Sequence, residues 1–263
     1  MVGCFLYSFF YNSSAWRIGL AIAFGAVWLA SYWPPLFKKP WLWIVLIGSA
    51  FFTLAAVCFI QNPLGDLFYR ETILLWLSSH EVIRRLIFLA GIPILKGLIQ
   101  EGAKLLPVVV WWRRSSKNLD PKLGLTIGAV AGVGFAILGA HGALNYIFAS
   151  GWDSYYMQFD VLNGFWGIFF RVAAQIAFPA LAGYGLAKGW GWQFYLIASS
   201  LHGLLYMARS GLFPILVTMS VPHFEYSLEA SVYTAVLSAL VTAWALWLRW
   251  RKGAATTELK LAA

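Results

Sequence analysis

The stretch LKGLIQEGAKLLP, residues 95–107, decides how this chain is read. It lies inside an apolar run, 86–112, long enough to cross a bilayer, yet Lys96, Gln100, Glu101 and Lys104 interrupt it. A charged side chain at hydrocarbon depth costs on the order of 3 kcal/mol or more, so such groups are rare unless they are used or paired. At about 100° per residue, Lys96, Gln100 and Lys104 form one stripe of a helix, and Glu101 stands just beside it. Glu101 also precedes Lys104 by three residues, within reach of an ion pair. The stretch predicts a membrane-spanning helix with one polar face, and the rest of the chain has to supply what meets that face.

Composition agrees. Of 263 residues, 61% are hydrophobic and 11% charged, against about 25% charged in a soluble globule. The expected class is all-α, a polytopic, multi-pass protein of the cell membrane embedded in the lipid bilayer. Fifteen Trp suit its interfaces. A net charge of +9 does not point to nucleic acid, because the bases sit in short clusters beside apolar runs, where they orient the chain. Cys4 and Cys58 are isolated and fit packing rather than a metal or redox spacing. The opening MVGCFLYSFFYNSS lacks the basic region and cleavage site of a signal peptide, so the first apolar segment is expected to be a retained span.

Seven spans fit, near residues 16–33, 41–60, 86–112, 123–150, 161–187, 192–208 and a last one ending at 248. Pro34-Pro35 closes the first, Asn62-Pro63-Leu64-Gly65 is expected to turn after the second, and Pro93 to kink the third. Residues 71–86 are apolar but broken by His80, Glu81, Arg84 and Arg85, and read as an interfacial helix. Gly124, Gly128 and Gly132 open the fourth span as GxxxGxxxG, a flat face for close helix packing. Lys38-Lys39, the loop from Arg113 to Lys122, Lys188 and the bases from Arg249 to Lys252 fall on one side, which the positive-inside rule makes cytoplasmic. The N-terminus is then outside and the C-terminus inside. Residues 1–252 form a single membrane domain, and 253–263 a disordered cytoplasmic tail.

Later spans carry polar groups of their own: His141 and Asn145 in the fourth, Arg171 and Gln175 in the fifth, His202 in the sixth. At 1.5 Å per residue, Glu101, His202 and Gln175 all lie roughly 15–20 Å from the cytoplasmic end, with Lys96, Arg171 and His141 at about 25–28 Å. Side chains from four helices therefore converge at one depth, which predicts a polar cavity opening outward. The plainer alternatives are a snorkelling Lys96, a Lys104 that only neutralises Glu101, and amides acting as interhelical glue.

Gln100-Glu101-Gly-Ala-Lys104, Gly132-Val-Gly134-Phe135-Ala136, a polar residue ahead of Gly183-Tyr-Gly185, and Leu201-His202-Gly203 resemble the PrsW family of intramembrane proteases. That family belongs to the superfamily of CAAX-type, glutamate-dependent membrane proteases, and the resemblance covers about residues 86–207. The non-catalytic Aph subunit of gamma-secretase, of the same superfamily, is similar in its seven spans, its Gln-Glu pair on span three and its GxxxGxxxG on span four. The resemblance implies that Glu101 is a general base activating water, with or without a divalent metal such as zinc. It makes His202, and with it His141, the partner that stabilises the oxyanion or binds the metal. Lys104 would keep Glu101 ionised, and Gln100, Gln175 and Arg171 would support the site.

Three positions depart from the family pattern. Gln100 stands where members have a second Glu, Gly139 where they have a Glu, and Gln175 where many have a His. Each change removes a base or a metal ligand. Two functions are therefore expected: an endopeptidase cleaving a membrane-anchored protein, or a non-catalytic scaffold that binds transmembrane helices as partners. A proton-coupled transporter is the weaker third, since the chain has no internal repeat.

Overall fold

The computed structural model describes residues 15–68, 90–114, 120–148, 158–207 and 228–251, and every regular element among them is helical. They are α1 (Ala15–Ala30), α2 (Trp41–Ala56), α3 (Ile92–Arg114), α4 (Pro121–Ile147), α5 (Gln158–Ala187), α6 (Gly191–Met207) and α7 (Leu228–Trp250). The segments read as an interfacial helix at 71–86 and as a tail at 253–263 lie outside the described residues.

The turn expected at Asn62-Pro63-Leu64-Gly65 is helix instead. A π turn, Val57–Gln61, follows α2, and the helix continues to Phe68. The Asn62 N–H reaches back five residues to the Val57 carbonyl. Widening the turn in this way moves the preceding carbonyls off the ring of Pro63, which would otherwise break an α-helix. Pro93, expected as a kink, is the second residue of α3, directly after π-helical residues 90–91. The α5–α6 corner is a helix C-cap in which Gly189 (φ 81°) takes the left-handed conformation. There Trp190 N–H bonds Gly185 O at 2.8 Å and Gly189 N–H bonds Leu186 O at 3.2 Å.

Small residues set the helix packing. Residues 124–136 of α4 are buried all round, as a helix at the centre of a bundle must be. A Cβ on Gly128 would run into the Pro179 carbonyl, and one on Gly132 would lie 2.5 Å from the Gln175 carbonyl. On the opposite face Gly134 lies against the Leu46 carbonyl of α2. The glycine face of α4 thus lets the α5 backbone touch it. A second close crossing joins α3 to α6: a Cβ on Gly97 would run into the Ser199 carbonyl, and one on Gly203 would lie 3.0 Å from Ile94 Cα.

Neighbouring helices meet end to end in alternation. Trp41 at the start of α2 stacks on Trp111 near the end of α3, ring centres 4.5 Å apart. From the end of α7, Arg249 and Trp250 bond the carbonyls of Tyr32 and Ser31 just past α1, and Arg251 bonds the Tyr184 hydroxyl near the end of α5. Lys38, Arg113, Arg114, Lys122, Lys188, Arg249 and Arg251 all belong to segments at this end. At the other end Arg17 bonds the Phe148 carbonyl at 2.9 Å.

Four helical stretches are long and apolar enough to cross a membrane: Trp41–Phe68, Pro121–Asn145, Gly164–Ala187 and Ser231–Trp250. Of the others, α1 and α6 have 16 and 17 residues, and α3 carries Lys96, Glu101 and Lys104. The outer surface shows Ile44, Ile47, Phe51, Phe59, Leu240 and Trp247, while Gln100, Glu101, Lys104 and His202 are inside. An apolar exterior around a polar centre is matched to lipid, because in water such a surface would associate.

Candidate functional site

The polar stripe of α3 faces the bundle interior. Gln100, Glu101 and Lys104 are 1%, 0% and 0% exposed. Lys104 Nζ donates to Glu101 Oε1 at 2.6 Å and to Gln175 Oε1 on α5. Gln175 Nε2 lies 2.8 Å from His202 Nε2 on α6, and His202 Nδ1 lies 2.6 Å from Glu101 Oε1. The four side chains close a ring drawn from three helices. The Gly97–Gly203 crossing makes it possible, since it brings His202 up against Glu101 across the α3–α6 contact.

Proton positions follow from the ring. An ammonium only donates, so Gln175 Oε1 accepts from it and the Gln175 amide NH₂ donates to His202 Nε2. The imidazole then carries its hydrogen on Nδ1 and donates to Glu101. This tautomer, assigned from the hydrogen bonds, leaves His202 neutral and one cation balancing one carboxylate. The imidazole is clamped between Phe178 and Tyr206, each ring centre 5.2 Å away. The Lys104 ammonium lies 5.8 Å from the centre of the Phe135 ring. Glu101 Oε2 has no hydrogen-bond partner among the described residues.

Beside this ring is a cavity of about 310 Å³. Gln61, Gln100, Gly139, Arg171, Gln175 and Tyr206 are among the residues lining it. Gln100 Nε2 bonds Gln61 Oε1 at 2.7 Å and the Tyr206 hydroxyl at 3.0 Å. A Cβ added to Gly139 would meet nothing within 4 Å, so the cavity is open at this position. Gln100 and Gln175 line the cavity and also flank Glu101, which is itself fully buried.

The structure thus joins Glu101, Lys104, Gln175 and His202, and sets Gln100 and Arg171 on the neighbouring cavity. His141 belongs to another group: its Nε2 is 3.1 Å from Asn145 Nδ2, and Arg17 reaches Asn145 Oδ1 at 3.4 Å. Lys96 is half-buried with its ammonium 5.3 Å from the Tyr206 ring centre. Gly124, Gly128 and Gly132 serve the α4–α5 contact. Sequence reasoning missed Gln61, Phe178 and Tyr206, and with them Arg17. Gln61 stands just ahead of the turn expected at residues 62–65, and nothing in the sequence marks it as inward-facing.

A structural or catalytic zinc ion takes three or four protein ligands. Glu101 and His202 supply two, and no group of three His, Cys, Asp or Glu forms among the described residues. Glu101 Oε1 and both ring nitrogens of His202 are already engaged with Lys104, Gln175 and one another. This donor set does not fit a tightly held zinc ion. No family model matches the chain, and no curated protein and no solved structure matches it.

Proposed function

We propose that this chain is a seven-span membrane protein, N-terminus outside and C-terminus cytoplasmic, that works as a PrsW-like intramembrane endopeptidase on a membrane-anchored protein. The observation that carries the reading is Glu101: a carboxylate at the centre of the bundle with one oxygen held by Lys104 and His202 and the other without a partner among the described residues. Such an arrangement suits a general base, whose charge is maintained and whose free oxygen is aimed. Glu101 Oε2 would take a proton from water as its oxygen bonds to the peptide carbonyl carbon. The resulting tetrahedral oxyanion collapses, the C–N bond breaks, and Glu101 returns the proton to the departing nitrogen.

In this geometry His202 is a positioning residue. Its Nδ1–H orients Glu101 and its Nε2 accepts from Gln175, so in this tautomer neither ring nitrogen serves an oxyanion. Substrate entering from the 310 Å³ cavity meets Gln100 and Gln175 before Glu101. A swing of Gln175 away from His202 would open the route to Glu101.

A second reading has its own support. Glu101 is fully buried and its charge already balanced, as in a structural ion pair. On that reading the protein is a scaffold that binds transmembrane helices. New protein N-termini in host membranes separate the two, compared among wild type, a deletion, Glu101→Gln and the charge-neutral double variant Glu101→Gln/Lys104→Gln, at matched levels of folded protein. Termini found only with wild type establish proteolysis through Glu101. If deletion changes the abundance of membrane proteins while every terminus persists in both Glu101 variants, the scaffold stands.

A further inference from the structure

At the basic end of the bundle, away from Glu101, lies a cavity of about 540 Å³. Lys38 from the α1–α2 connection, Lys122 from the first turn of α4 and Arg249 from the last turn of α7 converge on it. The single carboxylate in its lining, Asp120, is committed elsewhere: its Oδ2 accepts the Leu123 N–H at 2.9 Å, capping α4. Neither lysine ammonium has a partner among the described residues, and Arg249 spends its Nε on the Tyr32 carbonyl at 3.1 Å.

Two aromatic residues form the rim. Phe37 is 94% and Trp33 74% exposed. Trp33 holds φ 50°, a left-handed backbone that a bulky side chain rarely adopts. Strain of this kind persists where the surroundings fix it, and it gathers at ligand sites.

We propose that this cavity binds the phosphate headgroup of an anionic phospholipid, with its acyl chains against Trp33 and Phe37. Three cations converging in a concave site recognise a phosphate group, and basic pockets between membrane helices hold anionic headgroups in this way. A soluble phosphate would share the cations but would gain nothing from the exposed aromatic rim, which lies where the apolar helices end. The inference requires the membrane-spanning arrangement and is independent of whether Glu101 is a base.

The test uses the full-length protein released into neutral detergent from nanodiscs of mixed phosphatidylcholine and phosphatidylglycerol. Native mass spectrometry counts the lipids retained. Wild type should hold phosphatidylglycerol selectively, and Lys38→Gln/Lys122→Gln should lower that occupancy about tenfold. Arg113→Gln/Arg114→Gln, exposed bases at the same end but outside the cavity, should leave it unchanged. Trp33→Gly provides a variant that relieves the backbone strain, and should melt no lower than wild type while losing the lipid. Equal retention by the lysine variant, or equal loss by the arginine variant, overturns the proposal. So does displacement of the lipid by millimolar inorganic phosphate, which would make the ligand a soluble anion.

Discussion

Lys104 and Glu101 are both fully buried, and each charge is tolerable there only while the other is present. Removing one partner of a buried pair leaves an uncompensated charge and costs about 3–5 kcal/mol. Lys104→Met and Glu101→Gln should each lose that much in an unfolding titration in detergent. The double variant removes both charges, so its loss should fall below the sum by about 1–3 kcal/mol. Simple additivity would show that the two residues are not energetically coupled, and the ring of hydrogen bonds would lose its meaning. On the proposed endopeptidase reading, Glu101→Gln should lower cleavage at least about 100-fold, the usual contribution of a general base, as read by the yield of new N-termini. His202→Ala should cost cleavage as well, since Glu101 loses the donor that aims it. His141→Ala should cost little, because its hydrogen bond goes to Asn145 on another side of α4.

At the scale of elements, the glycines divide into those that let backbones touch and those that do not. Gly128→Ala puts a methyl group into the Pro179 carbonyl, and neither backbone has a flexible end that can give way. Its expected cost is about 1–3 kcal/mol, the usual range for overpacking. Gly139→Ala meets nothing within 4 Å and should stay within about 0.5 kcal/mol of wild type. Thermal midpoints of the two in the same detergent check the contrast; equal midpoints would remove the α4–α5 contact from the account. The helices themselves were legible in the sequence, because runs of apolar residues of the right length and glycines at intervals of four encode them directly. The polar face of α3 was legible for the same reason, being a periodicity within one helix. What sequence does not encode is how each helix is rotated against its neighbours. That is why Tyr206, an ordinary aromatic near the end of α6, gave no sign that it would stack on His202 and bond Gln100. The π turn at Val57–Gln61 hid Gln61 similarly: one extra residue in the turn carries the helix through Pro63, where local rules predict a stop.

For the whole molecule, the decisive question is which end faces the cytoplasm. The ends of α1, α3, α5 and α7 and the starts of α2, α4 and α6 carry the bases, and hydrogen bonds from Arg249, Trp250 and Arg251 tie three of those ends together. In the proposed orientation, which follows the positive-inside rule, this is the cytoplasmic face. The helix α5 has 30 residues, about 45 Å at 1.5 Å per residue, enough to cross a bilayer with its headgroups. Asp153 precedes it and Lys188, exposed, follows it, so the two positions should lie on opposite sides. Single cysteines can be placed there after Cys4→Ser and Cys58→Ala remove the native thiols. In intact cells a membrane-impermeant maleimide should label Asp153→Cys and spare Lys188→Cys; opening the membrane should then expose Lys188→Cys. The reverse pattern would turn the bundle over, moving the basic cavity to the outer leaflet and the Glu101 cavity toward the cytoplasm. Labelling of both positions in intact cells would mean that α5 does not cross at all, and the alternation of the seven helices would fail with it.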